Sequence, residues 1–268
     1  MELSGALERL RGRGRKALIP FIMGGDPTLR TTGPLLLALQ AAGADVIEVG
    51  IPFSDPLADG PVIQAASARA LARGATPHRV LAAVASVRAR LRVPVVGLTY
   101  WNPILQFCSG GPTASVRAFA RAASTAGLSG VIVPDVPVEE SGLLRRSAAA
   151  ERLCAVLLAA PTSPPERLRM IARASQGFIY YVSVTGTTGA RRQLPAHLVH
   201  GVRQLKLLTT KPICVGFGIS TPAQARAVAR IADGVIVGSA LLQAMGGTRG
   251  TTAVRRAAAF VRRLRRVV

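Results

Sequence analysis

Short apolar segments rich in Val and Ile recur along the chain and alternate with longer segments in which the apolar residues follow helical spacing. The short segments are almost continuously hydrophobic, as expected of strands that are buried on both faces of a parallel sheet. Stretches with helical spacing, such as PHRVLAAVASVRARL, separate them. The eight apolar segments span residues 17–23, 45–51, 93–100, 130–135, 154–160, 177–183, 212–218 and 233–239.

This alternation predicts an α/β fold, a (β/α)8 TIM barrel in which residues 1–268 form a single domain. A doubly wound open sheet is the structural alternative, but the number of strands and the lack of GxGxxG after the first strand favour the barrel. We also expect an extra N-terminal helix and a short helix that begins at Ser239, after strand eight. The segment VRRAAAFVRRLRRVV predicts an outer amphipathic helix at residues 254–268.

The net charge of +21 is a possible sign of nucleic-acid binding. However, the arginines are spread singly or in pairs over almost every helical segment, and aromatic residues make up only 4% of the chain. We therefore expect solvated helix faces and no nucleic-acid partner. The longest apolar stretches run about seven or eight residues, too short to cross a bilayer, and no signal-peptide pattern follows Met1. These features predict a soluble cytoplasmic protein without a membrane partner.

In a barrel of this kind, functional groups lie at the C-terminal ends of the strands and in the loops that follow. The lysines do not fit a Schiff-base mechanism, because Lys16 and Lys211 precede strands and Lys206 falls in a helical segment. The histidines lie in helical segments far from one another, which predicts no metal site and no histidine-based nucleophile. Carboxylate acid/base chemistry remains.

Two carboxylates stand out in the segment DVIEVGIPFSDPLADG, residues 45–60. Glu48 lies between Ile47 and Val49 in strand two, so its side chain points either into the barrel or towards the helices. A buried carboxyl group without a partner has a raised pKa and can donate and accept protons. Asp59, in the following loop, should be more solvated, stay ionised and accept a hydrogen bond. A purely structural role is the alternative for Glu48.

Glycines recur at successive strand ends and predict a phosphate site. Gly189 lies in TGTTGA, Gly216 and Gly218 lie in GFGIS, and Gly238 precedes Ser239 in GSALLQAM. Glycine lets backbone N–H groups approach an anion closely, and the N-terminus of a helix adds a favourable dipole. TIM barrels commonly bind phosphate after strands seven and eight. The alternative is that these glycines serve packing.

Several segments together resemble the tryptophan synthase alpha subunit family over nearly the whole chain: PFIMGGDP, IEVGIPFSDPLADGPVIQ, VPDVPVEE, YYVSVTGTTGAR, VGFGIS and DGVIVGSA. The resemblance implies a carbon–carbon lyase that cleaves indole-3-glycerol phosphate to indole and D-glyceraldehyde 3-phosphate in L-tryptophan biosynthesis. It implies no cofactor in this chain, because pyridoxal phosphate belongs to a beta-subunit partner. The implied assembly is a heterotetramer of two alpha and two beta subunits.

The resemblance also implies a role for each matching residue. Glu48 matches the catalytic acid/base, and Asp59 matches the carboxylate that holds the indole N–H. Thr188 matches the threonine of the closing loop, and Asp55 matches a contact with the partner subunit. The matching positions of the indole pocket are Phe21, Leu98, Tyr100, Tyr180 and Phe217. Those of the phosphate site are Gly189, Gly218, Gly238 and Ser239.

One loop departs from the family pattern. The segment QFCSGGPTASVRAF, from Gln106, carries about six extra residues, most of them at positions 107–113. In the family this loop faces the beta subunit. Two alternatives to a partner-dependent enzyme therefore stay open: a stand-alone lyase that releases free indole, and a weakly active barrel that mainly activates a beta subunit.

Overall fold

The computed structural model describes residues 2–182, 194–216 and 218–268. Within these ranges, eight parallel strands close into a barrel in chain order, and the last strand pairs with the first. The strands are β1 Ala17–Met23, β2 Ile47–Gly50, β3 Val95–Leu98, β4 Gly130–Ile132, β5 Cys154–Ala159, β6 Ile179–Val182, β7 Ile213–Gly216 and β8 Gly234–Val237. Each strand falls inside one of the eight predicted segments, so the TIM-barrel prediction is confirmed.

Helices surround the barrel and connect its strands. In the described part of the chain they are α1 Leu3–Gly12, α2 Leu29–Ala41, α3 Pro61–Ala72, α4 Pro77–Ala85, α5 Trp101–Leu105, α6 Pro112–Ala126, α7 Gly142–Ala150, α8 Pro165–Ala174, α9 Ala196–Leu208, α10 Pro222–Ile231, α11 Ser239–Met245 and α12 Gly250–Arg265. A 3-10 turn covers Arg88–Arg90. The predicted N-terminal helix, the helix at Ser239 and the C-terminal amphipathic helix are all present. No helix in this part of the chain is long and apolar enough to span a membrane.

Proline and capping residues define where several helices begin. Helices α3, α4, α6, α8 and α10 have proline in their first turn. This placement is favourable because proline fixes a helical φ and its missing N–H would have no intrahelical acceptor. Helix α10 adds a capping box, in which the Thr221 hydroxyl accepts the Gln224 N–H at 3.3 Å and Gln224 Oε1 accepts the Thr221 N–H at 3.2 Å. The sequence STPAQ therefore encodes the start of this helix locally.

The strands separate two apolar cores and thereby set the direction of each side chain. Ile47 and Val49 lie in the outer core, between the barrel and the helices. Val46 belongs to the inner core, which Leu3 and Leu7 of α1 also join. Side chains alternate along a strand, so Glu48 points into the barrel. The sequence had left this orientation of the Glu48 side chain open.

Candidate active site

Glu48 is the most buried acidic group of the barrel interior. It pairs in register with Phe21 on β1 and Val96 on β3, and only 1% of it is exposed. Its Oε2 atom is buried and has no hydrogen-bond partner among the described residues. Burial, with a smaller contribution from the charge of Asp59, raises the pKa of Glu48 to about 8. The carboxyl group is therefore protonated at neutral pH and can act as a proton donor.

This raised pKa has a consequence for stability. Between the ordinary pKa of 4.5 and the folded value of about 8, the folded chain retains a proton that the unfolded chain has lost. Stability therefore falls as the pH rises through this window. Glu48→Gln keeps the volume without this cost, so we expect its free energy of unfolding to exceed the parent's by roughly 3–5 kcal/mol near pH 8.5 and by under about 1 kcal/mol near pH 5.

Urea unfolding curves at both pH values measure this difference. A gain of equal size at both pH values would show that ionisation of Glu48 is not its source.

Asp59 lies in the loop that joins β2 to α3, close enough for its charge to raise the pKa of Glu48. Its N–H donates to the Pro56 carbonyl at 3.0 Å, and Gln64 Nε2 donates to the Asp59 carbonyl at 2.9 Å. Burial raises the pKa of Asp59 to about 6, and a hydrogen bond with Tyr100 acts in the opposite direction. The group is therefore less solvated than the sequence suggested, although it is still largely ionised at neutral pH.

Tyr100 connects the end of β3 to the loop that carries Asp59. Its hydroxyl accepts the Ala58 N–H at 3.0 Å, and its ring packs at a tilt against Phe53 with centroids 5.3 Å apart. Burial and the charge of Asp59 raise the pKa of Tyr100. Tyr100 was predicted as a pocket residue; the structure adds that it positions the Asp59 loop.

Asp135 is a residue of this region to which the sequence analysis assigned no role. Both of its carboxylate oxygens accept the Trp101 N–H at 3.0 Å. The interaction caps the start of α5, directly after Tyr100, and so helps to hold the tyrosine in place. The sequence feature that could have identified Asp135 was its position in VPDVP, directly after strand four.

Apolar and aromatic side chains form the wall around Glu48. Phe21 is 3% exposed and lies beside Gly50, where an added Cβ would come within 2.8 Å of the Phe21 ring. Tyr180 lies beside Gly216 in the same way, with 2.6 Å from an added Cβ to its hydroxyl. Burial raises the pKa of Tyr180, and the charges of Glu48 and Asp59 add to the effect, so its hydroxyl faces the same interior. Leu98 is partly buried and contacts both cores.

The glycines after β7 and β8 leave backbone groups accessible. Gly238 precedes α11, and its carbonyl accepts the N–H groups of Leu241 and Leu242 at 2.9 and 3.1 Å. The earlier N–H groups of this turn have no intrahelical acceptor. Gly218 has a φ of +33°, and an added Cβ there would meet no described atom within 4 Å. Gly218, Gly238 and Ser239 thus follow adjacent strands, as predicted.

Three predicted site residues, Thr188, Gly189 and Phe217, lie outside the described residues. Asp55 lies in the loop after β2, exposed, and accepts a hydrogen bond from the Ser54 hydroxyl. Two positions further along the same loop, Leu57 is 91% exposed. The loop thus presents an acid and a large apolar side chain to solvent on the side of the barrel where Asp59 lies.

The lysines lie where the sequence placed them. Lys16 directly precedes β1, and Lys211 lies two residues before β7. Lys206 lies on α9, where its Nζ is 3.5 Å from Asp233. Lys16 Nζ lies 3.7 Å from the same Asp233 oxygen. All three are therefore remote from the mouth of the barrel where Glu48 and Asp59 converge. Within the described ranges, no group of three or more His, Cys, Asp or Glu side chains could hold a metal ion.

Comparison with known proteins gives a consistent result. The family described as "Tryptophan synthase alpha chain" matches residues 7–268. The tryptophan synthase alpha chain of Gloeobacter violaceus is 49% identical over 96% of this chain and 91% of its own length. That of a Picosynechococcus strain is 50% identical over 90% of this chain and 89% of its own.

Solved structures agree in fold over the whole chain. Tryptophan synthase subunit alpha of Legionella pneumophila superposes with a TM-score of 0.89 and 36% identity, covering 100% of this chain and 98% of its own. A chain of Mycobacterium tuberculosis tryptophan synthase has a TM-score of 0.88 and 37% identity, covering 99% and 97%. The chain belongs to the tryptophan synthase alpha chain family.

Proposed function

We propose that Glu48 and Asp59 are the acid/base pair with which this chain cleaves indole-3-glycerol phosphate to indole and glyceraldehyde 3-phosphate, the alpha reaction of tryptophan synthase. One observation carries the assignment: the unpartnered Glu48 carboxyl group inside the barrel, with Asp59 close enough to raise its pKa. A neutral acid and an ionised carboxylate in one apolar mouth are what the chemistry requires.

The reaction breaks the bond between indole C3 and the glycerol phosphate side chain. Glu48 donates its proton to C3, which leaves a positive charge shared with the ring nitrogen. Asp59 accepts the indole N–H and stabilises that charge. The carboxylate of Glu48 then takes the proton of the adjacent side-chain hydroxyl, the C–C bond breaks, its electrons restore the aromatic ring, and the aldehyde forms. Glu48 ends the cycle protonated, as it began. The alpha chain needs no cofactor; pyridoxal phosphate belongs to the beta subunit.

The substrate's two ends suit two parts of the barrel mouth. We assign the flat indole ring to the wall formed by Phe21, Leu98, Tyr100 and Tyr180, because such a ring is held by apolar and aromatic surface. Phe217 completes this proposed wall. We assign the phosphate to the turns after β7 and β8, at Gly218, Gly238 and Ser239, together with Gly189. Thr188 is the proposed loop-closing residue.

Asp59→Asn is expected to lower indole release by at least about tenfold, because an amide cannot match the charge of a carboxylate beside the developing cation. Steady-state indole formation by the purified chain measures the effect. Glu166→Gln, which neutralises an exposed carboxylate on α8, is the matched control and should retain the parent's activity. Parent-like activity of Asp59→Asn would remove Asp59 from the mechanism.

We further propose that a tryptophan synthase beta subunit docks on the loop after β2. The solved M. tuberculosis relatives are tryptophan synthases, and in this chain the loop presents Asp55 and the exposed Leu57 beside Asp59. A partner that orders this loop would increase the population of the productive conformer. The proposed assembly is a heterotetramer of two alpha and two beta subunits.

Adding a beta subunit is accordingly expected to raise indole formation by about tenfold or more, and Asp55→Ala should abolish the gain while leaving the activity of the isolated chain nearly intact. Steady-state assays with and without the beta subunit measure both effects.

The two alternatives predict different results in the same assay. A stand-alone lyase would already turn over at about 1 per second or faster without any response to a beta subunit. A weakly active barrel that mainly activates its partner would raise the beta subunit's own rate while remaining slow in indole release when the two are combined.

A further inference from the structure

A large cleft lies at the opposite end of the barrel from Glu48. Its volume is about 1060 Å³, and it is lined by residues that precede or begin β3, β4, β5, β6 and β7, together with residues of α1. None of the proposed substrate-binding or catalytic residues that the structure describes contributes to it. We call it the basal cleft.

The lining of the basal cleft is predominantly basic. Three acids, Glu2, Glu8 and Glu151, contribute to it, and the Glu151 carboxylate already pairs with Arg121 at 3.4 Å. Two of the arginines bind backbone carbonyls: Arg11 donates to Thr210 and Arg88 to Thr125. The basic lining residues are Arg11, Arg88, Arg145, Arg152, Arg173 and Lys211. Basic residues therefore outnumber acidic residues in the lining of the cleft.

Arg145 and Lys211 both line this cleft, and neither has a counter-ion among the described residues. Lys211 Nζ donates to the carbonyls of Ala172 and Arg173 at 2.8 and 2.9 Å. Burial and the charge of Arg145 lower the pKa of Lys211. Arg145 Nε is buried and has no hydrogen-bond partner among the described residues. Neither group forms an ion pair with any carboxylate in the described part of the chain. An anion between them would supply the missing acceptor and offset their repulsion.

Arg152 adds an independent observation. Its φ is +56°, and among the described residues it is the one non-glycine residue with positive φ. It follows the C-terminus of α7, where the Leu153 N–H donates to the Ala148 carbonyl at 2.9 Å, a position that glycine usually occupies. A left-handed arginine costs about 1 kcal/mol or more relative to glycine. The side chain at this strained position lines the cleft, so a binding role would explain the arginine.

We propose that the basal cleft binds a small polyanion without an aromatic ring, held by Arg145, Arg152 and Lys211. The size suits a small molecule, since ligand pockets commonly measure about 300–1,000 Å³. Serine and glutamine side chains join the basic groups, and no aromatic side chain of the described residues lines the cleft for stacking a base. Clustered phosphates or carboxylates on a compact ligand fit this chemistry.

Titration calorimetry with tripolyphosphate, and separately with citrate, tests the proposal. We expect one site per chain, and the probe that binds more tightly identifies phosphate or carboxylate as the natural group. Arg145→Gln should weaken binding by about tenfold or more, since it removes a charge-assisted contact. Arg146→Gln is the matched control: Arg146 is the next residue of α7, is exposed and does not line the cleft, so its removal should change affinity by less than about twofold.

Thermal unfolding separates a binding role from a structural one. Without ligand, Arg145→Gln should be as stable as the parent or more so, because it relieves repulsion with Lys211. The rise in Tm that tripolyphosphate gives the parent should disappear in the variant. If Arg145→Gln does not fold, Arg152→Gln serves as the test variant instead. The proposal would be overturned if neither probe bound, or if the parent and the cleft variants bound equally well. It would also be overturned if Arg145→Gln and Arg146→Gln lost affinity equally, because only unspecific attraction to a chain of net charge +21 would then remain.

Discussion

Glu48→Gln is expected to lower kcat for indole release by at least about 100-fold while KM changes by no more than about threefold. Glutamine keeps the volume and the apolar surroundings of the side chain, so the indole ring should bind as before. It has no acidic proton for C3 and no carboxylate to take the hydroxyl proton. The loss corresponds to about 3 kcal/mol of transition-state stabilisation. Because the same variant should be more stable at alkaline pH, a loss of activity cannot come from unfolding there.

The pH dependence of kcat/KM provides a second measurement. Activity should rise as Asp59 loses its proton near its pKa of about 6, and fall as Glu48 loses its proton near its pKa of about 8. Both limbs belong to the interacting pair rather than to either residue alone. The remaining activity of Glu48→Gln should lack the alkaline limb, whereas Glu166→Gln should keep both. A variant with near-normal kcat and an unchanged profile would leave Glu48 as a structural carboxylate.

The strands and their order could be predicted from the sequence because continuous apolar segments are a local signal of a buried parallel sheet. The direction of Glu48 could not, since Ile47 and Val49 flank it symmetrically in the sequence. It became clear only when both neighbours were placed in the outer core. A polar residue inside an apolar segment can be located from the sequence. Whether its side chain points into the barrel or towards the helices is set by the closure of the barrel.

The electrostatics of Asp59 depended on residues distant in the chain. Its loop looked solvated, but Tyr100, from the end of β3, binds the loop through the Ala58 N–H and lies against the carboxylate. Asp135, from the end of β4, in turn supports Tyr100 through Trp101. Three successive strand ends are brought together by the barrel, and no spacing in the sequence shows that they meet.

The surroundings of individual arginines could not be predicted from the sequence either. Their even spread predicted solvated helix faces, which holds for Arg146, an exposed residue of α7. Its neighbour Arg145 instead has a buried Nε and lines the same cleft as Lys211, a residue 66 positions further along the chain. Composition describes the average arginine, whereas the few that share a cavity are identified only by the fold.

Gly238→Asp is expected to reduce affinity for glycerol 3-phosphate by at least about 100-fold, through the repulsion between a carboxylate and a phosphate dianion at close range. The packing around Gly238 permits the substitution, because an added Cβ would lie 3.4 Å from the Phe21 ring, an ordinary van der Waals contact. Its φ of −112° also lies outside the left-handed region that favours glycine. The fold should therefore be largely retained.

Gly238→Ala separates the two components of this effect. It introduces the same Cβ without the charge, so we expect its affinity to fall by no more than about tenfold, as the backbone N–H groups become slightly less accessible. Titration calorimetry with glycerol 3-phosphate measures both variants, and circular dichroism checks that each is folded. Equal losses in the two variants would indicate a steric effect alone. If Gly238→Asp bound glycerol 3-phosphate as tightly as the parent does, the glycines after β7 and β8 would serve packing, and the phosphate would have to bind elsewhere in the barrel mouth.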